Sequence, residues 1–161
     1  MTDRRFCIAR RKAELPAFLR VLKALPPSGL DYRPHPSSRT ADDLVWIIVF
    51  QETSLLSLLD SGTIRWANTK PPASLDEMVA LYERSAPEVT QRLERLDDAG
   101  WQKKGRFLMN GNPPWENTVG DFVWLFLFDT IHHRGQLSTY LRPMGAKVPS
   151  IYGPSADDAG Q

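Results

Sequence analysis

Apolar residues recur at three- and four-residue intervals in four stretches of this chain, near 4–25, 39–60, 75–98 and 117–141, with segments rich in proline and glycine between them. That spacing puts the apolar side chains on one stripe of a helix rather than on one face of a strand. Four such stripes find cover against one another, so the expected fold is all-α, a four-helix bundle. At 161 residues the chain can bury one such core, and a single domain over 1–161 is expected, its ordered part spanning about 4–153.

The first stretch carries Phe6, Ala9, Ala13, Phe18, Leu19, Leu22 and Leu25, and Pro26, Pro27 and Gly29 end it. Pro16 lies inside it and is expected to kink or interrupt the helix, because proline lacks an N–H and crowds the preceding turn. Arg4, Arg5, Arg10, Arg11 and Lys12 read as the wet side of this helix. Thr40 and Asp43 have the spacing of a capping box ahead of the second helix, which passes through Leu44, Ile47, Ile48, Gln51, Leu55 and Leu58 and stops at Ser61 and Gly62. Ser74 with Glu77 opens the third helix, which Pro87 should bend, and Thr118 with Asp121 opens the fourth. The stretch 101–116 has no clean period. It is expected to form a long ordered connection, which Trp101, Phe107, Met109 and Trp115 could pin against the bundle.

A formal charge of +1 and the lack of a basic stripe argue against nucleic acid as a partner. Cys7 is the only cysteine, so no intrachain disulfide can form, and it is expected to be a small buried side chain. No signal-peptide pattern opens the chain, and the apolar run 119–131 is interrupted by Gly120, Asp121 and Asp129 and is too short to span a bilayer. A cytoplasmic location away from membranes is the expectation. The fourth helix is apolar on nearly every side over its first turns, so either the long connection or a second copy of the chain must cover the extra face. The second reading, a homodimer, is preferred.

The chemically suggestive stretch is Asp129-Thr130-Ile131-His132-His133-Arg134-Gly135-Gln136. Residues four apart share a helix face, so Asp129 and His133 can point together into the bundle. Such a pair can give two ligands to a zinc, nickel or iron ion, and another helix would have to supply more, with Glu52 the better candidate beside Gln51. The bland alternative is an interior Asp129–His133 hydrogen bond, and a third is the polar end of a small-molecule pocket. His132 should face elsewhere, since adjacent helical residues diverge by about a hundred degrees. Gly135 should mark the close approach of another segment, with Arg134 bridging a carboxylate or carbonyls there.

His132 to Gly145, together with Leu30-Asp31-Tyr32-Arg33-Pro34, Ser38 to Trp46 and Val148 to Ser155, resembles the signature of the DinB/YfiT-like superfamily, over about residues 6–158. These are damage-inducible-protein-like four-helix bundles related to the mycothiol- and bacillithiol-dependent enzymes. The resemblance implies up-down-down-up connections, a dimer and a divalent metal, often nickel or zinc, held by three histidines. It also implies thiol-cofactor transfer or isomerisation. Those histidines map to Ile47, Asp129 and His133, so only His133 keeps the ligand type. The leading expectation is therefore a family member of unknown activity with a degenerate metal site and no cofactor. Two alternatives are a thiol-using, metal-dependent transferase with a displaced site of Asp129, His133 and Glu52, and a metal-free binding module whose ligand rests among Trp46, Trp101, Trp115 and Trp124.

Overall fold

The computed structural model describes residues 1–67 and 69–160. The chain runs α1 (Asp3–Ala24), α2 (Ala41–Ser61), β1 (Thr63–Trp66), α3 (Leu75–Arg95), α4 (Asp98–Gln102), β2 (Lys104–Met109), β3 (Trp115–Thr118) and α5 (Val119–Tyr140). Each long helix starts on a hydroxyl cap. Thr2, Thr40, Ser74 and Thr118 accept from the backbone N–H groups of Arg5, Asp43, Glu77 and Asp121. At Thr40 the box is complete, because the Asp43 carboxylate also accepts from the Thr40 N–H at 3.0 Å. Such caps satisfy helix-end donors and contribute about 1 kcal/mol each.

Helix α1 continues through Pro16, so the interruption expected there does not occur, and α3 likewise carries Pro87 within it. The third helix ends at Arg95, earlier than its apolar spacing suggests, and Asp97 caps the short α4. Helix α2 packs on α3 and α5, and α1 packs on the same two, so α1 and α2 lie across the bundle from each other. One apolar cluster gathers Phe18, Leu22, Leu44, Ile48, Met78 and Leu137, and the other gathers Leu55, Leu58, Ile64, Leu93, Phe122 and Phe126. Helix α2 is long and apolar enough to cross a membrane by length and composition, and half of that window is buried inside the protein.

The all-α expectation holds for the bundle, and the connections add a small sheet of order β1-β2-β3 to it. Strands β1 and β2 pair in parallel, with Ile64 opposite Phe107, and β2 and β3 pair antiparallel, with Phe107 opposite Trp115. Strands of four and six residues are too short to show a period in sequence. The connection covers part of α5: Trp101 lies against Gly120, and Phe107 stacks at 6.4 Å from Phe122. Leu125 and Phe128 of α5 stay exposed.

Two ion pairs are buried inside the bundle. Arg11 of α1 meets Glu52 of α2 at 2.6 Å, which overturns the reading of Arg11 as part of a wet face. Glu14, one turn on, meets Arg134 of α5 at 2.5 Å, and the Tyr152 hydroxyl donates to the same Glu14 oxygen at 2.9 Å. Arg134 therefore bridges a carboxylate, as expected. Gly135 does not mark a close approach, since a Cβ built there meets nothing within 4 Å.

The two glycines of α5 separate these effects. At Gly120 an added Cβ would come within 2.4–2.9 Å of the buried Trp101 indole. Gly120→Ala is expected to lower unfolding free energy by about 1–3 kcal/mol, as overpacking does. Gly135→Ala should raise it by about 1 kcal/mol through helix propensity alone. Urea titration of both variants measures the opposite signs.

Candidate functional site

The site is built where the middle of α2 faces the middle of α5. On α2, residues 47 and 51 lie one turn apart on a single face, and on α5 residues 129 and 133 do the same. The structure brings Gln51, Asp129 and His133 together. The Gln51 Nε2 donates a short hydrogen bond to Asp129 Oδ2. His133 Nε2 lies 3.3 Å from the same oxygen, and His133 Nδ1 lies 2.9 Å from the Gln136 Oε1. Both ring nitrogens thus face acceptors, and only the imidazolium can donate to both.

The charges respond accordingly. The hydrogen bond with Asp129 holds His133 above its ordinary value, against the opposing pull of burial, and Gln136 adds to the effect. The same bond holds the Asp129 carboxyl below its ordinary value, with burial opposing and Gln51 assisting. An Asp129 carboxylate and a His133 imidazolium form a pair whose charges cancel. Gln51 is 2% exposed, and its Oε1 is buried without a partner.

Glu52 is not brought to this group. Adjacent residues on a helix point about a hundred degrees apart, and Glu52 turns the other way, into the buried pair with Arg11. Burial depresses the Arg11 guanidinium, but the adjacent Glu52 carboxylate outweighs it and holds Arg11 protonated. Ile47, 9% exposed, presents an aliphatic side chain with no donor atom. Among the described residues no group of three or more His, Cys, Asp and Glu side chains is placed to hold a metal ion. The three-nitrogen ion implied by the resemblance does not fit these residues: one position has no donor atom, and the other two are engaged with each other. Cys7 is buried as expected, and burial pushes its thiol up to about 12.

Beside Gln51 and Asp129 opens a cleft of about 560 Å³, walled by Trp66, Phe107, Trp115, Leu125 and Phe126. Its size is that of a small-molecule site. The rings form a continuous surface: Trp66 stacks on Phe107 at 5.9 Å, Phe107 meets Trp115 at 6.0 Å, and Trp66 meets Phe126 edge-on at 6.2 Å. Of the four tryptophans expected around a ligand, Trp115 alone lines this cleft. Trp101 and Trp124 donate their indole N–H groups to Asp3, and Trp46 lines a separate groove with Ile47. Trp66 and Phe107 are not legible as a wall in the sequence, because the strands that carry them are only four and six residues long. Their signal was the alternation of Ile64 with Trp66 and of Gly105 with Phe107, two steps long and without weight in isolation.

A family model described as DinB family matches residues 12–160. No curated protein matches the chain. Among solved structures, a DinB-like protein from Bacillus cereus ATCC 10987 is similar at TM-score 0.73 and 19% identity, covering 91% of this chain and 95% of that one. A DinB-like protein from Bacillus subtilis is similar at TM-score 0.67 and 17% identity, covering 88% of this chain and 92% of that one. At such identities the likeness carries the fold.

Two variants test the division of labour between neighbouring acids. Glu52→Ala leaves the Arg11 guanidinium buried and unpaired, and should cost about 3–5 kcal/mol of stability in a denaturant titration. The Asp129–His133 pair should contribute fully between the ordinary values of 3.8 and 6.5. Its contribution declines as pH rises through the raised His133 value and as pH falls through the lowered Asp129 value. An NMR titration of the His133 ring should move down toward the ordinary value in Asp129→Asn, and an unmoved midpoint would refute the pairing.

Proposed function

This chain belongs to the DinB family, and from that premise we propose that it binds a small organic molecule in the aromatic cleft, without a metal ion at the family's three-histidine position. The reading rests on one observation. Gln51 and Asp129 form the polar end of a cleft of about 560 Å³, with His133 paired behind Asp129, one turn along from an isoleucine where the resemblance calls for a nitrogen donor. An acid and an imidazole that satisfy each other make a fixed polar end for a ligand. His133 does not line the cleft and is paired behind Asp129, so it is not placed to take a proton from a ligand there. The role is thus closer to binding than to catalysis, and thiol transfer through an ion is not carried over to this chain.

The helix course is read as the up-down-down-up path of the family, and the protein as cytoplasmic. A second copy is read as the partner of α5. Phe128, 62% exposed, stacks on Trp124 at 5.3 Å, and Trp124 meets Phe6 of α1 at 5.9 Å. These three rings make an apolar patch that the rest of the chain leaves open, and one such patch can cover its twin across a twofold axis.

Protein produced without an affinity tag, in medium containing nickel, zinc and iron, should carry well under one equivalent of each by elemental analysis. The value should be the same in His133→Ala. A stoichiometric metal that disappears in that variant would show a displaced ion on Gln51, Asp129 and His133 and end the metal-free reading. For the partner, light scattering after gel filtration should give twice the chain mass for the parent and the single chain mass for Phe128→Asp.

A further inference from the structure

The cleft has an acceptor-rich polar end and no basic side chain in its wall, and this asymmetry selects among ligands. Both protein partners of Asp129, Gln51 and His133, use its Oδ2, which leaves Oδ1 without a protein donor among the described residues. The Gln51 Oε1 is buried and has no partner among the described residues, whereas Asp129 is partly exposed, so Oδ1 is the acceptor that a ligand donor can reach at this end of the cleft. Among the described lining residues Asp129 is the sole charged one; Lys, Arg and His are absent, and the neutral polar side chains are Gln51 and Asn112. The rest of the wall consists largely of aromatic rings, whose π faces carry negative potential.

We propose that the ligand of this cleft is an organic cation, an alkyl- or arylalkyl-ammonium whose nitrogen sits between the Trp66, Phe107 and Trp115 rings and Asp129 Oδ1. The inference rests on the small-molecule reading of the cleft and adds the ligand's charge to it. A carboxylate or phosphate ligand would face an unpaired carboxylate oxygen and ring faces, with no cation in the wall to receive it. An uncharged apolar ligand would cover the Asp129 Oδ1 without supplying it a donor. An ammonium group supplies a donor to Oδ1, and the ring faces stabilise its charge. The imidazolium of His133 binds to the other carboxylate oxygen and is not part of the cleft lining, so the free oxygen keeps its acceptor role.

A matched series separates charge from shape: 4-phenylbutylamine, 4-phenylbutan-1-ol and 4-phenylbutanoate share one apolar body and differ at the end group. Calorimetric titration of the full chain should give the amine at least about tenfold tighter binding than the alcohol, with the carboxylate weakest. In Asp129→Asn, which keeps the shape of the side chain, the amine should fall to within about twofold of the alcohol, with an unchanged circular-dichroism spectrum confirming the fold. Binding of the alcohol or the carboxylate as tight as that of the amine would overturn the cation assignment while leaving a small-molecule cleft in place. An amine preference that survives Asp129→Asn would overturn it as well. If none of the three binds, the small-molecule reading itself falls, and the ligand's charge class with it.

Discussion

The architecture turns on two charged pairs that the bundle buries, Arg11 with Glu52 and Glu14 with Arg134. Helices α1 and α2 lie across the bundle and have little direct packing to set their relative height, so the Arg11–Glu52 bond supplies a specific link over that distance. Taking these groups out of water is expensive, and each guanidinium also leaves its Nε without a partner. Such pairs do little for net stability compared with apolar side chains of equal size. Their geometric consequence is larger: a misregistered α1 would strand a buried charge, so alternative packings are penalised by several kcal/mol. Arg134 also stacks over Phe18 at 4.6 Å and Tyr152 at 5.1 Å, which ties the segment after α5 into the same network.

That register reaches the candidate site through a single helical step. With Glu52 directed at Arg11, the residue before it must point about a hundred degrees away, and that residue is Gln51, whose amide meets Asp129. The α2 helix thus uses neighbouring polar residues for opposite purposes, one locking the bundle and one shaping the end of the cleft. Glu52 is the better ligand by chemistry alone, but Arg11 claims it.

How much was readable in the sequence follows from the range of each interaction. Caps such as Thr40 with Asp43 span three residues, so their spacing is written out locally, and the helix starts came with it. The Asp129–His133 pair is also local, four residues apart on one helix, and was legible for the same reason. Arg11, Trp66 and Phe107 were not. Arg11 differs from Arg10 only in which way the helix turns it, and the partner that decides the matter is 41 residues away. Trp66 and Phe107 meet across a parallel strand pair joined by α3 and α4, a long-range pairing that no window of the sequence contains. Gly135 misled for a different reason. A glycine within a helix suggests crowding, whereas here the crowding lies at Gly120, fifteen positions earlier, under Trp101.

The aspartate at position 129 also changes what His133 can offer. A ligand imidazole must be neutral at the coordinating nitrogen, so a proton and a metal ion compete for it. An aspartate four residues earlier strengthens the proton's claim by pairing with the imidazolium, and the Gln136 oxygen on the other ring nitrogen strengthens it again. The carboxylate would attract a divalent ion too, but with an aliphatic side chain at Ile47 the ion would lack its third anchor and would have to displace a proton held by two acceptors. That competition is the physical ground of the metal-free reading proposed above. The pair's unused carboxylate oxygen is the chemically distinctive atom of the cleft, and the proposed cation is argued from that same Asp129.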